Sequence, residues 1–172
     1  MYITKIRIEH IKSIQHFEVD FTGLESYAGW HVIIGDNGSG KSTLIKAIAL
    51  GLIGPAEAAM LREDWTAWLK TGESCGTIEI NLFRDKHLDK SAVPGPTPNP
   101  FNLKAEVTLK QTEKLLVPEF NKKPQNSADP HQYIWSNKEG WFSSAYGPFR
   151  RFQGGNTESS KLFYKAPKLG AH

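Results

Sequence analysis

The sequence has little cysteine and no long apolar run. Cys75 is the only cysteine in 172 residues, so no disulfide can form within the chain. This is typical of a reducing compartment. No stretch approaches the roughly 18 consecutive apolar residues that a membrane-spanning helix needs, and Met1–Lys5 does not begin an apolar secretory signal. We therefore predict a cytoplasmic protein with no membrane partner.

A strong excess of either charge is also missing. The net charge is +3 and 23% of the residues are charged, so nucleic-acid contact is permitted but not required. The six histidines show no metal-ligand spacing with cysteine or glutamate, which argues against a zinc site. Hydrophobic residues make up 39% of the chain, which is enough for one globular core.

Alternating apolar and polar residues predict four strands. The alternation covers residues 2–8, 17–21, 77–83 and 103–109. The last two stretches are expected to form a hairpin. Two further aromatic stretches, 132–135 and 140–146, are also expected to be strand-like.

Helical spacing follows in residues 41–52, and Gly54-Pro55 is expected to end this helix. Its buried positions are predicted to be Leu44, Ile45, Ile48 and Leu52. Residues 56–70 could hold another short helix. Exposed loops are predicted near 86–102, where four prolines stand at alternate positions, and near 121–131.

The main motif is the run Gly35–Ser42, which fits the pattern G-x-x-x-x-G-K-[ST] without a mismatch. His31–Ile34 before it reads as a short buried strand, and a helix follows it. Backbone N–H groups of such a glycine loop converge on phosphates, and the helix dipole favours their negative charge. The motif therefore predicts nucleoside triphosphate binding.

Each residue type in the loop has a chemical reason. Glycines let the backbone approach phosphate, Lys41 would place its ammonium between the β- and γ-phosphates, and the Ser42 hydroxyl would coordinate Mg²⁺. Asn37 offers an amide near the γ-phosphate, and Thr43 a hydroxyl near the α-phosphate. The predicted binding residues are Gly35, Asp36, Asn37, Gly38, Ser39, Gly40, Lys41, Ser42 and Thr43.

The hydrolytic part of such a site is not visible in the sequence. Hydrolysis needs an acidic residue at the end of an apolar strand to help hold Mg²⁺. No run of four apolar residues followed by Asp-Glu occurs, and Thr77–Asp85 reads as a surface strand. The chain alone is therefore expected to carry the phosphate loop without the acidic strand.

Three segments carry a resemblance to a known family. Ile6–Ile14, the extended loop Gly35–Thr43 and Trp68–Gly72 resemble the SMC, RecF and Rad50-like branch of the ABC-type ATPases. Trp141–Phe152 resembles the ATPases of Septu-type and retron-linked anti-phage systems. The resemblance implies an α/β P-loop NTPase fold. Residues 1–172 would form the N-terminal lobe of an ABC-type nucleotide-binding head, with a mixed sheet and an antiparallel β portion. By the same resemblance, the C-terminal lobe is expected to lie outside this chain.

The same resemblance implies further site residues and partners. Lys12 and Ser13 lie where family members approach the nucleotide, Lys70 lies where some place a basic residue, and Gln153 is the candidate for a glutamine that touches the metal. Lys41 would serve catalysis, with ATP and Mg²⁺ as cofactors. The partners implied are a second copy of the head, in a homodimer or higher homo-oligomer with ATP between the heads, and a nuclease subunit or DNA. The complete protein would hydrolyse ATP and gate a nuclease or DNA access in anti-phage defence or DNA repair.

Two other functions fit the loop alone. A P-loop kinase would need a lid of arginines, and a GTPase would need an Asn-Lys-x-Asp motif, which Asn121-Lys122-Lys123-Pro124 lacks. A non-hydrolysing, nucleotide-dependent interaction module would need only the loop. Comparing ATP with GTP binding, and measuring hydrolysis, separates these alternatives.

Overall fold

The structure is an antiparallel sheet with helices on one face. The computed structural model describes residues 1–23, 27–60, 65–85, 89, 102–111, 116, 118–121 and 131–135. In chain order the elements are β1 Tyr2–Ile11, β2 Ile14–Asp20, α1 Lys41–Ile53, α2 Pro55–Met60, a 3₁₀ turn Trp65–Trp68, β3 Cys75–Phe83, β4 Asn102–Lys110, β5 Pro118–Phe120 and a π-helical turn His131–Trp135. Among these described helices, none has the length and hydropathy that a bilayer crossing requires.

The five strands lie in the order β2-β1-β3-β4-β5, and each neighbouring pair is antiparallel. Ile8 pairs with Phe17 on one side and with Ile78 on the other, and Ile78 in turn pairs with Val107. Because side chains alternate across a strand, this register places the apolar members of all four strands on the same face. The four predicted strands and the β3–β4 hairpin are therefore confirmed.

Helix α1 covers the apolar face. Leu44, Ala47 and Leu50 are buried, and Gly51 faces Ile80 so closely that an added Cβ would lie 2.6 Å from the Ile80 Cδ1. The predicted burial of Leu44 and Leu52 is confirmed, and Ile48 is partly buried. The predicted burial of Ile45 is wrong, because this side chain points away from the sheet and is 44% exposed.

The opposite face of the sheet carries charged side chains in pairs. Lys104 on β4 lies 3.0 Å from Glu79 and 3.1 Å from Glu106, two carboxylates that the strand register places directly opposite each other. Partial burial lowers the pKa of Lys104, but hydrogen bonds to both carboxylates outweigh it, so the pKa is raised above the ordinary value of 10.5. The single ammonium thus relieves the repulsion between the two glutamates.

The predicted strand His31–Ile34 is wrong. These residues form no strand, and Val32 and Ile34 are 80% and 89% exposed, next to a Trp30 that is 99% exposed. Within the described part of the chain, their backbone groups make no hydrogen bond to another segment. An apolar run becomes a buried strand only when a neighbouring strand pairs with it. No described strand runs beside residues 31–34.

The predicted strand at 132–135 is also wrong. Residues His131–Trp135 form a π-helical turn, in which the consecutive residues Ile134 and Trp135 are both buried. The turn is held against the end of α1, because the Trp135 Nε1 donates a hydrogen bond of 3.0 Å to the Gly51 carbonyl. The predicted strand at 140–146 lies outside the described residues, as does nearly all of the two predicted loops.

Candidate functional site

The glycine loop, residues 35–40, leads directly into the first turn of α1. Gly38 and Gly40 have φ angles of 84° and 94°, which lie in the left-handed region that favours glycine. Gly40 is the N-cap of α1, and its carbonyl accepts the first helical hydrogen bond from the Leu44 N–H at 2.8 Å. A glycine N-cap supplies no side-chain acceptor, so the first amides of the helix stay available to a ligand.

Lys41 folds back over the glycine loop. Its ammonium donates hydrogen bonds of 2.6 Å to the carbonyls of both Gly35 and Asp36, and it lies 3.5 Å from the Ser39 hydroxyl. The loop is closed further by a 3.2 Å hydrogen bond from the Ser39 N–H to the Asp36 carbonyl. The positive charge of Lys41 is therefore held at the centre of the loop by the loop itself.

Access to the loop is open. Residues 35–39 and Ser42 are exposed, while Gly40, Lys41 and Thr43 are partly buried. The helix has no acidic residue in its first turn, so the positive end of its dipole is not neutralised by its own side chains. The loop thus combines open amides, a cation and hydroxyl groups, which is the chemistry that an anionic phosphate chain requires.

The turn between β1 and β2 lies against this loop. A Cβ added at Gly40 would come within 3.1 Å of both the Ser13 hydroxyl and the Ile14 side chain. The structure therefore brings the Ser13 side chain next to the glycine loop. This close approach and the left-handed φ both favour glycine at position 40.

Sequence reasoning missed one contact of Lys12. The Lys12 ammonium lies 5.1 Å from the centre of the Trp68 ring, and the Lys12 N–H donates a 2.8 Å hydrogen bond to the Trp68 carbonyl. Trp68 is only 3% exposed. Trp68 lies in the segment that follows α2, and no local sequence pattern there predicts its contact with the β1–β2 turn.

The donor set fits Mg²⁺ bound together with a triphosphate. The exposed Ser42 hydroxyl is a hard oxygen ligand on the first turn of α1, which suits a cation that takes its other oxygens from phosphate and water. Within the described ranges, no group of three or more His, Cys, Asp or Glu side chains could hold a metal ion by itself. Gln153, the other predicted metal contact, lies outside the described residues.

Comparison with known proteins identifies the family. The family model for an AAA domain matches residues 5–125, which is more than half of the chain. The chain belongs to the AAA domain family. This match includes most of β1, and all of the glycine loop, α1 and the β3–β4 hairpin.

Two curated relatives are similar to part of this chain. The chain is 37% identical over 83 residues to the Septu protein PtuA of Bacillus mycoides (strain KBAB4), and 34% identical over 79 residues to the structural maintenance of chromosomes protein 5 of Schizosaccharomyces pombe (strain 972 / ATCC 24843). The alignments cover 47% and 45% of this chain, but only 12% and 7% of the relatives. The chain therefore spans a small part of the length of the curated proteins it matches.

A solved structure agrees on the fold. The structure of the recombination mediator protein RecF with ATP, in the RecFOR pathway, matches with a TM-score of 0.58 and 18% sequence identity, covering 95% of this chain and 38% of that one. Together the comparisons confirm the resemblance to the SMC/RecF/Rad50-like ATPases and the α/β fold class, with its antiparallel portion in the five-stranded sheet.

Proposed function

We propose that this chain binds ATP with Mg²⁺ at residues 35–43. The observation that carries the proposal is the geometry at Gly40 and Lys41, where a left-handed glycine N-cap leaves helix amides open beside an ammonium centred over the loop. In the bound state Lys41 would leave the carbonyls of Gly35 and Asp36 and bind the β- and γ-phosphates, because phosphate oxygens carry more charge than carbonyls. Ser42 would bind the Mg²⁺.

The other loop residues would complete the phosphate site. Exposed Asn37 would donate its amide to the γ-phosphate, and Thr43 would offer a hydroxyl to the α-phosphate. Main-chain N–H groups would supply most of the remaining contacts, as in other glycine loops at helix N-termini. Lys12 and Ser13 would approach the nucleotide from the β1–β2 turn, since Ser13 already lies against Gly40.

We further propose that residues 1–172 form the N-terminal lobe of an ATP-hydrolysing head. Two heads would close around ATP in a homodimer or higher homo-oligomer, and hydrolysis would reopen them. Catalysis would consist of positioning and charge neutralisation during in-line water attack on the γ-phosphate, with Gln153 and an acidic strand of the complete protein at the metal. Similarity to a Septu protein, a chromosome-maintenance protein and a recombination mediator supports this assignment.

The cycle would control access to nucleic acid. The relative at 37% identity is a Septu protein, which favours a role in anti-phage defence over one in DNA repair. In that role the heads would gate a nuclease subunit or a DNA-binding surface, and ATP would set their open and closed states. The pairing of heads can be measured as an ATP-dependent increase in molar mass by light scattering.

The test of ATP binding is the Lys41→Ala substitution, measured by isothermal titration calorimetry with ATP and Mg²⁺. We expect a loss of binding of at least about 100-fold, because a charge-assisted bond to phosphate is lost from a partly desolvated site. Lys46→Ala is the matched control, since Lys46 is an exposed lysine on the same helix, and it should leave the affinity unchanged.

Competition with GTP and release of phosphate complete the experiment. ATP should displace GTP, and phosphate release by the complete protein should require Mg²⁺. Equal affinities in the Lys41→Ala and Lys46→Ala variants would overturn the site assignment. Tighter binding of GTP would favour the GTPase alternative, and binding by the complete protein without hydrolysis would favour an interaction module.

A further inference from the structure

The end of β1 adopts an unusual backbone conformation. His10 and Lys12 have φ angles of 55° and 49°, in the left-handed region that residues other than glycine seldom enter. Such strained residues persist only where the surrounding structure holds them, and they cluster at functional sites. The observation therefore calls for an explanation of what holds these two residues, and for what purpose.

The segment Trp68–Lys70 holds this backbone. The Lys12 N–H donates to the Trp68 carbonyl at 2.8 Å, the Lys70 N–H donates to the His10 carbonyl at 3.0 Å, and Ile11 and Leu69 form an antiparallel bridge. Three consecutive residues of one segment are thus joined to three consecutive residues of the other. These two hydrogen bonds and the bridge hold the strained backbone of His10 and Lys12 on both sides of Ile11.

Trp68 also holds the Lys12 side chain. Its indole lies 5.1 Å from the Lys12 ammonium, within the range in which the negative face of the ring attracts a cation. The ring cannot turn away freely, because it is 3% exposed and lies against the Trp65 ring, with the centroids 5.3 Å apart. A buried, packed indole therefore helps to hold the ammonium of the partly buried Lys12.

The orientation matters because the β1–β2 turn touches the glycine loop. The residue after Lys12 is Ser13, whose hydroxyl would lie 3.1 Å from a Cβ at Gly40, and Ile14 is equally close. Gly40 is the N-cap of α1. A turn that is fixed in position therefore fixes the side of the glycine loop that Ser13 and Ile14 form.

We propose that Trp68 is a positioning residue of the nucleotide site. It holds Lys12 through its carbonyl and its ring, in a turn whose residues Ser13 and Ile14 lie against Gly40. From that turn the ammonium would meet the negative charge of the triphosphate. The inference rests on the proposed function. It adds that part of the ATP affinity depends on Trp68, and that Trp68 affects ATP binding only by positioning Lys12.

The test is a double-mutant cycle on ATP affinity, with Trp68→Leu, Lys12→Met and the double variant measured by calorimetry in the presence of Mg²⁺. Each single substitution should raise the Kd for ATP by about tenfold, the size expected when one hydrogen bond between a charged group and phosphate is lost or misplaced. In the Lys12→Met background, Trp68→Leu should cost no more than about twofold further, because the group that Trp68 positions is already absent. Trp68→Phe keeps an aromatic face and should restore most of the affinity.

Each outcome discriminates. If Trp68→Leu weakens ATP binding equally with and without Lys12, or has no effect, the positioning role is refuted. If Trp68→Leu does not fold, the cycle is run with Trp68→Phe, for which about a threefold effect confined to the Lys12 background is expected. A wild-type protein that does not bind ATP, or binds it equally well after Lys41→Ala, refutes the proposed function instead.

Discussion

Gly54 should be among the least replaceable residues of the fold. It connects α1 to α2 with φ 85° and ψ 177°, a combination that is almost confined to glycine. A Cβ at this position would lie 2.6 Å from Cγ and 2.7 Å from Cδ1 of Trp135. Trp135 cannot move aside without losing its hydrogen bond to the Gly51 carbonyl and its edge-on contact with Phe120, whose ring centroid is 5.2 Å away.

The cost of Gly54→Ala can be worked out from these two effects. Forcing alanine into this backbone region costs about 1–3 kcal/mol. Overpacking against the fixed indole adds about 1–3 kcal/mol. The total of about 2–6 kcal/mol is a large part of the roughly 5–15 kcal/mol that stabilises a typical domain.

Gly72→Ala is the matched control. Gly72 has a similar φ of 89°, but nothing lies within 4 Å of the Cβ that alanine would add. Only the backbone cost of about 1–2 kcal/mol should appear there. Urea unfolding followed by circular dichroism gives both free energies, provided the m-value is unchanged. Equal losses in the two variants would refute the argument that the Trp135 ring blocks position 54.

Two further predictions concern the exposed surfaces. Lys104→Met should lower the free energy of unfolding by about 1 kcal/mol at neutral pH, because Glu79 and Glu106 then face each other without a cation. The raised pKa of Lys104 means that this contribution is complete below pH 10.5 and is lost as the pH rises through the folded-state value, so wild type and variant should converge in alkaline urea titrations. A constant gap would contradict this. Replacing Trp30 and Ile34 by serine should change the free energy of unfolding by no more than about 0.5 kcal/mol, since these side chains are 99% and 89% exposed. The same replacement should reduce aggregation measured by light scattering. A large loss of stability would show that the two side chains are packed.

The sheet could be predicted from the sequence because alternation is a local property. The alternation predicts a half-buried strand without reference to the rest of the chain at residues 2–8, 77–83 and 103–109. In the structure each of these strands is longer by two or three residues. The start of α1 was predictable as well, since Gly40-Lys41-Ser42 combines a loop motif with a helix N-terminus. Its length was limited by Gly54-Pro55, as expected.

The remaining features depend on partners that a local pattern does not reveal. Val32 and Ile34 have the composition of a buried strand, but burial requires a neighbouring strand, and none pairs with them among the described residues. The sequence pattern predicted Trp135 to be part of a strand. Its position is instead determined by its hydrogen bond to the Gly51 carbonyl and its packing against Gly54, both far away in the sequence. The contact between Lys12 and Trp68 is similarly long-range, although both residues stood in segments that resemble the family.

The pairing of β1 with β3 has a consequence for the order of assembly during synthesis. Ile8 pairs with Ile78, so the glycine loop and α1 belong to an excursion of the chain between two partner strands. Until β3 has left the ribosome, β1 lacks its inner neighbour and α1 lacks much of the surface it covers. Closing so long an excursion is slow compared with forming a local hairpin. A nascent chain should therefore acquire a nucleotide pocket only after the pocket's own residues have long been translated.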